Sequence, residues 1–164
     1  MRKTFASFAF LAALALATAA CSNSNGSSGS GSGSGSASPS TAAPTSGTVD
    51  LASSKFGQVL VDSKGRTLYV FAKDKADASN CTGQCITNWP ALKATGTPTA
   101  GAGIDSSLLG TIKRSDDGST QVTYKKQPLY YFAGDSASGD VNGQNVGGIW
   151  FVVGANGTPN KATS

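Results

Sequence analysis

Leu68-Tyr69-Val70-Phe71-Ala72-Lys73-Asp74 recurs 61 positions later as Leu129-Tyr130-Tyr131-Phe132-Ala133-Gly134-Asp135. The same offset sets Val61 on Val122, Lys64 on Lys125 and Trp89 on Trp150. Tyr-x-Phe-x-x-Asp, followed fifteen residues later by Trp, therefore occurs twice and takes up both tryptophans of the chain. Self-similarity at a fixed spacing marks one supersecondary unit used twice. The copies run over about 56–93 and about 108–154, and a pseudo-twofold axis is expected between them.

Each copy reads as β structure. Gln58–Val61, the turn Asp62-Ser63-Lys64-Gly65 and Arg66–Phe71 form strand, glycine-ended turn and strand. The second copy gives Leu108–Arg114, the turn Ser115-Asp116-Asp117-Gly118, then Ser119–Tyr124 and Pro128–Phe132, with Ile149–Val153 as a late strand. No long window has a helical period, and Thr82–Asn88 offers a helical turn at most. The predicted class is mainly β: two repeats of about 61 residues forming one antiparallel sandwich or small barrel over residues 48–164. Tyr69 and Phe71 share one strand face, opposite Leu68 and Val70, and Tyr130 and Phe132 repeat the pattern. Strands apolar on both faces are expected to be central. Asp74 and Asp135 then fall where a strand ends, placed to organise the following loop, and Trp89 and Trp150 are expected to pack on the aromatic strands. The loops 95–107 and 133–148 are where a binding surface is most naturally sited.

Outside this domain the chain changes character. Arg2-Lys3, an apolar run from Phe5 to Ala17 and the small residues Thr18-Ala19-Ala20 have the three parts of an export signal over residues 1–20. Thirteen apolar residues span about 20 Å as a helix, too short for a hydrocarbon core of roughly 30 Å. Cys21, following small residues, resembles the lipidated cysteine of bacterial lipoproteins, although Thr18 stands where such signals usually have Leu. Residues 22–47 are 17 Gly or Ser out of 26, which predicts a flexible tether with an r.m.s. reach of roughly 28 Å. The chain has three cysteines. An exported protein seldom leaves a thiol unpaired, so a lipidated Cys21 leaves Cys81 and Cys85 as a pair.

Composition removes several kinds of chemistry. The chain has no His, and all nine of its acidic residues are Asp. Histidine triads, His-bearing zinc sites and histidine bases are therefore impossible within it. Thirteen Lys and Arg give a net charge of +4; losing Arg2 and Lys3 with the signal leaves eleven cations against nine anions, about +2. The cations are scattered, with pairs at Lys113-Arg114 and Lys125-Lys126, which reads as a mixed solvated surface and not as a nucleic-acid footprint.

The residues Thr67 through Asp74, Cys81-Thr82-Gly83-Gln84-Cys85 with Trp89-Pro90, and Pro128 through Asp135 with Gly139-Asp140 and Trp150 resemble a bacterial family. Its members are secreted or lipid-anchored, and it is named for a repeated Tyr-x-(Phe/Trp/Tyr)-x-x-Asp motif. The resemblance covers about Val49–Gly154. It implies location and fold, with no assigned reaction. Members commonly carry a His just before the second Pro-Leu-Tyr; Gln127 stands here, so no metal or acid–base role passes to that position.

Three functional readings follow. The first is a non-enzymatic β domain held on the outer side of a membrane by lipid at Cys21, with a binding or structural role and no cofactor. The second is an envelope redox component using Cys81 and Cys85, whose three-residue spacing differs from thioredoxin-type sites. The third is calcium-type binding by the oxygen-rich loop 135–145, which lacks the closing Glu of a calcium loop. No catalytic constellation is identifiable.

Overall fold

The computed structural model describes residues 47–163. The signal at 1–20, Cys21 and nearly all of the tether lie outside the described residues. The domain has eight short strands, one short α-helix and two 3-10 turns, at Ser106–Leu108 and Val146–Gly148: β1 Thr48–Ser54, β2 Gly57–Val61, β3 Tyr69–Phe71, α1 Gln84–Asn88, β4 Thr99–Ala100, β5 Leu109–Lys113, β6 Thr120–Tyr124, β7 Gln127–Pro128 and β8 Trp150–Val152. It is mainly β, arranged in three small sheets with orders β2-β1-β4, β3-β8 and β5-β6-β7.

The strand hairpins follow from their sequences. β1 and β2 pair antiparallel, with Leu51 opposite Leu60, and β5 pairs with β6 in the same way, Thr111 opposite Val122. β1 lies ahead of position 56, where the sequence reading starts its first copy; it stands to β2 as β5 stands to β6. The strand expected over 66–71 is regular only from Tyr69, with Thr67 bridging back to Val61. That expected over 128–132 is regular only at its start; beyond it Tyr130 bridges to both Tyr69 and Ala91. One pairing is parallel, β4 to β1 at Thr48–Thr99, inside the stretch expected to be loop.

Each repeat lends its last strand to the other. β8, from the second copy, pairs with β3 of the first, Val70 opposite Phe151, and Leu60 N–H donates to the Val153 carbonyl at 2.8 Å. Reciprocally, residues 91–94 of the first copy lie along the second: Leu92 N–H donates to Leu129 O at 2.9 Å, and Val122 N–H donates to Leu92 O at 2.8 Å. The crossing point is Tyr69 and Tyr130, which exchange both backbone bonds at 2.8 and 2.9 Å. That reciprocity is the signature of the pseudo-twofold relation.

Two buried clusters result. Leu60, Leu68 and Val70 of the first copy pack with Val122, Leu129 and Phe151 of the second. Tyr69, Cys81 and Trp89 pack with Tyr130, Trp150 and Val152. Both clusters draw on both copies, so the repeats share one core.

Candidate functional site

The motif residues converge where the repeats cross. Tyr69, on β3, donates its hydroxyl to Asp135 Oδ2 at 2.7 Å. Tyr130 donates to Asp74 Oδ2, also at 2.7 Å. The tyrosine of each copy thus holds the aspartate of the other. The second carboxylate oxygen stays local: Asn80 N–H donates to Asp74 Oδ1 at 2.7 Å, and Asn142 N–H donates to Asp135 Oδ1 at 3.0 Å. Each Asp therefore orders its own loop and clasps the opposite repeat.

The electrostatics follow from burial. Removal from water pushes both carboxyls above the usual aspartate value, against the hydrogen bonds that favour the ionised form. Burial, and then the hydrogen-bonded carboxylate, push both tyrosines up, so they remain hydroxyl donors. At Tyr130 the Ser79 hydroxyl opposes part of that rise.

Four rings form a column beside the clasp. Phe71 stacks on Trp150 at 4.3 Å between centroids, Trp150 on Trp89 at 3.8 Å with planes 1° apart, and Phe132 lies against Trp89 at 4.4 Å, tilted by 30°. Each Phe rests on the Trp of the other repeat. Tyr69 meets Trp89 edge-on at 5.5 Å, and Tyr130 meets Trp150 edge-on at 5.2 Å. Such pairs each contribute about 0.5–1.5 kcal/mol beyond area burial. Gly143 is fixed by this packing, since a Cβ there would stand 2.8 Å from the Tyr69 ring and 3.0 Å from Trp89.

Cys81 and Cys85 form a disulfide closing a five-residue loop into α1. Cys81 is fully buried and Cys85 partly so. The loop is anchored by Arg114, which donates to the Cys81 carbonyl at 2.6 Å, to Gln121 Oε1 at 2.7 Å and to Ser79 Oγ at 3.1 Å. Ser79 Oγ in turn lies 2.7 Å from the Tyr130 hydroxyl. Arg114 is 3% exposed, which corrects its reading as a solvated surface charge: an inward-facing β-strand end and a polar pocket hold its guanidinium, with Asp116 at 2.6 Å as counter-ion. Gln121 and Ser79 carry no signal in the sequence reading, which takes Arg114 as a surface cation. The Asp116-Asp117 pair next to Arg114 was the one available signal of an anchored cation.

The oxygen-rich loop turns its acceptors on its own backbone. Asp140 Oδ2 accepts from Ser136 and Ala137 N–H, both at 2.8 Å. Gln144 Nε2 donates to the carbonyls of Asn160 and Ala162, securing the C-terminal segment. Gln127 Nε2 donates to Gly157 O at 2.8 Å. Among the described residues no group of three or more His, Cys, Asp or Glu is placed to hold a metal ion, every buried side-chain nitrogen and oxygen has a hydrogen-bond partner, and no helix is long and apolar enough to cross a membrane.

Comparison with family models matches residues 51–93 and 110–154 to a family described as a secreted repeat of unknown function. Searches of curated proteins and of solved structures give no match. The two matched segments contain the two Tyr-x-Phe-x-x-Asp copies that clasp each other across the domain. With more than half of its 164 residues matched, the chain belongs to this family of secreted repeats.

Proposed function

We propose that the chain is a lipid-anchored protein of the cell envelope, exported by its N-terminal signal, held at the outer membrane face through Cys21, and displaying residues 48–164 as a non-enzymatic module. Its work is to bind or to brace. The observation that carries this reading is the use of the motif residues. The hydroxyls of Tyr69 and Tyr130 are given to Asp135 and Asp74, each carboxylate also accepts a loop N–H, and Trp89 and Trp150 face each other at the junction of the repeats. A nucleophile or proton-transfer group needs a free atom within reach of a substrate, whereas the motif hydroxyls and carboxylates are engaged in holding the repeats together. The partner in this reading is the membrane, through the lipid; nucleic acid and cofactors play no part. A Gly/Ser tether of 26 residues suits a rigid domain that must be held off a surface.

The anchor is tested by mass. The membrane-associated form is expected to begin at Cys21 and to carry a lipid mass increment on that residue. Cys21→Ser is expected to leave the detergent phase for the aqueous one. An unmodified N-terminal Cys21, or a Cys21→Ser protein that still partitions into detergent, would refute the anchored reading.

A further inference from the structure

Two cavities of the domain are one cavity built twice. The first, of about 310 Å³, lies between the residues from Val70 to Ala76 and the turn joining β6 to β7. The second, of about 270 Å³, lies between the residues from Tyr131 to Ser138 and the chain at Arg66. At the 61-residue offset, Phe132 and Asp135 of the second stand where Phe71 and Asp74 stand in the first, and Arg66 stands where Gln127 does. Each cavity takes one wall from each repeat, as the strand exchange requires.

The copies have diverged in charge. The first is lined by Lys75, Lys125, Lys126 and Lys161. In the second, Ser136 replaces Lys75, and its one cation, Arg66, is already engaged: its guanidinium donates to Asp62 at 2.6 and 2.8 Å and lies 4.1 Å from the Tyr131 ring. The four lysines of the first are barely neutralised. Its carboxylate, Asp74, is turned to Asn80 and Tyr130. Lys126 reaches Asp77 only at 4.0 Å, Lys125 meets a carbonyl, that of Asn156, at 3.3 Å, and among the described residues Lys75 and Lys161 make no ion pair. Val70, Phe71 and Phe151 supply apolar wall.

The backbone supplies a second observation. Lys125 and Lys126 sit at φ 50° and 64°, between Tyr124 and Gln127, which pair across the hairpin. Positive φ at both central residues marks the two-residue turn that favours Asn-Gly. Lysine in that region costs stability, and such cost tends to be retained at working surfaces.

We infer that this cavity is a binding site for a phosphate-bearing ligand. Four compact ammonium groups act as point charges that can approach a tetrahedral, multiply charged anion from several sides, which is how lysine takes phosphate. The inference rests on the display reading only in taking the domain as a binding module.

The test titrates the full chain, carrying Cys21→Ser, with pyrophosphate by calorimetry and with phosphatidylglycerol vesicles by co-sedimentation, phosphatidylcholine vesicles being the blank. Heat with pyrophosphate alone supports a free phosphate compound as the source, and sedimentation alone supports a lipid headgroup. The double variant Lys125→Asn/Lys126→Gly is expected to weaken whichever binding is seen by about tenfold or more while raising Tm, because Asn-Gly suits the turn. Lys75→Gln/Lys161→Gln is expected to weaken it similarly without touching the turn, and Lys64→Gln, outside this cavity, to leave it unchanged. Binding of neither probe, or binding that survives both double variants, overturns the site. Anchoring is read separately from the mass of Cys21, so the two can fail independently.

Discussion

Tyr69 Oη sits between two groups that make opposite demands on it. It donates to Asp135 and accepts the buried Gly143 N–H at 3.2 Å. Tyr130 Oη instead faces Asp74 and the Ser79 hydroxyl. Tyr69→Phe therefore leaves a carboxylate oxygen and a buried N–H without partners, and is expected to cost about 2–3 kcal/mol. Tyr130→Phe leaves the carboxylate oxygen short while Ser79 keeps the N–H of Cys81 and the guanidinium of Arg114, and is expected to cost about 1–2 kcal/mol. Urea unfolding of the two variants checks the order; equal losses would mean that the Gly143 bond contributes nothing. The aspartates give a pH signature of unusual sign. Burial raises both above their reference value of 3.8, so just above pH 3.8 the folded state holds more protons than the unfolded chain. Their contribution is full below 3.8 and falls as pH rises through the raised values. Asp62 behaves in the opposite way: burial pushes it up, but bonds from the Arg66 and Lys64 backbone and from the Arg66 side chain outweigh this and lower it, so its contribution is present above 3.8 and lost in acid. Wild type is therefore expected to lose ground to Asp74→Asn/Asp135→Asn between pH 3.5 and pH 7, by urea midpoint. A difference that stays constant with pH would show that neither carboxyl is shifted.

At the scale of elements, legibility depended on how local the deciding contacts are. β2, β5, β6 and β8 follow from short apolar runs bounded by turn residues, and were readable within two residues of their ends. α1 was readable as the single helical turn before Trp89. β1 is not legible because Thr48–Ser54 follows directly on the Gly/Ser tract and carries only Val49 and Leu51 as large apolar residues. The repeat itself held the missing signal, since the 61-residue offset lays Leu109, the first residue of β5, on Thr48. The offset is not uniform, however. Leu68 N–H donates to Leu60 O, and Leu129 N–H donates to Val122 O, which makes Leu60 the structural counterpart of Val122, whereas the 61-residue offset sets Val61 there. The connection after β6 is one residue shorter than that after β2, and the shortening is what drives Lys125 and Lys126 into the left-handed region. A one-residue slip of this kind is invisible to self-comparison but reverses which side chain faces the core.

The whole molecule raises a question the repeat alone could not answer: two similar units can sit side by side or exchange strands, and both arrangements have the same internal sequence similarity. Here they exchange. β3 pairs with β8 of the other copy, residues 91–94 lie along the other copy's sheet, and each buried cluster mixes residues of both. A fragment holding one repeat would keep its own hairpin but lose the strand that completes its sheet, one tryptophan of the stacked pair and the partner of its Tyr–Asp clasp. Chains of about sixty residues are already marginal in the surface they bury, and these would also leave apolar strand faces open. Fragments 47–102 and 103–163, cut between β4 and β5, are therefore expected to remain unfolded as monomers. On mixing they are expected to give a one-to-one complex with a cooperative thermal transition and the near-ultraviolet signal of the Trp89–Trp150 stack. Sedimentation and circular dichroism check this together. A monomeric fragment that unfolds cooperatively by itself would show that one repeat carries a complete core, and the exchange would then be an ornament of the fold and not its basis. Because the clasp and the ring column exist only across the junction, the exchange also places the twin cavities: each has one wall from each copy, so the lysine-lined site exists only when both repeats are folded together.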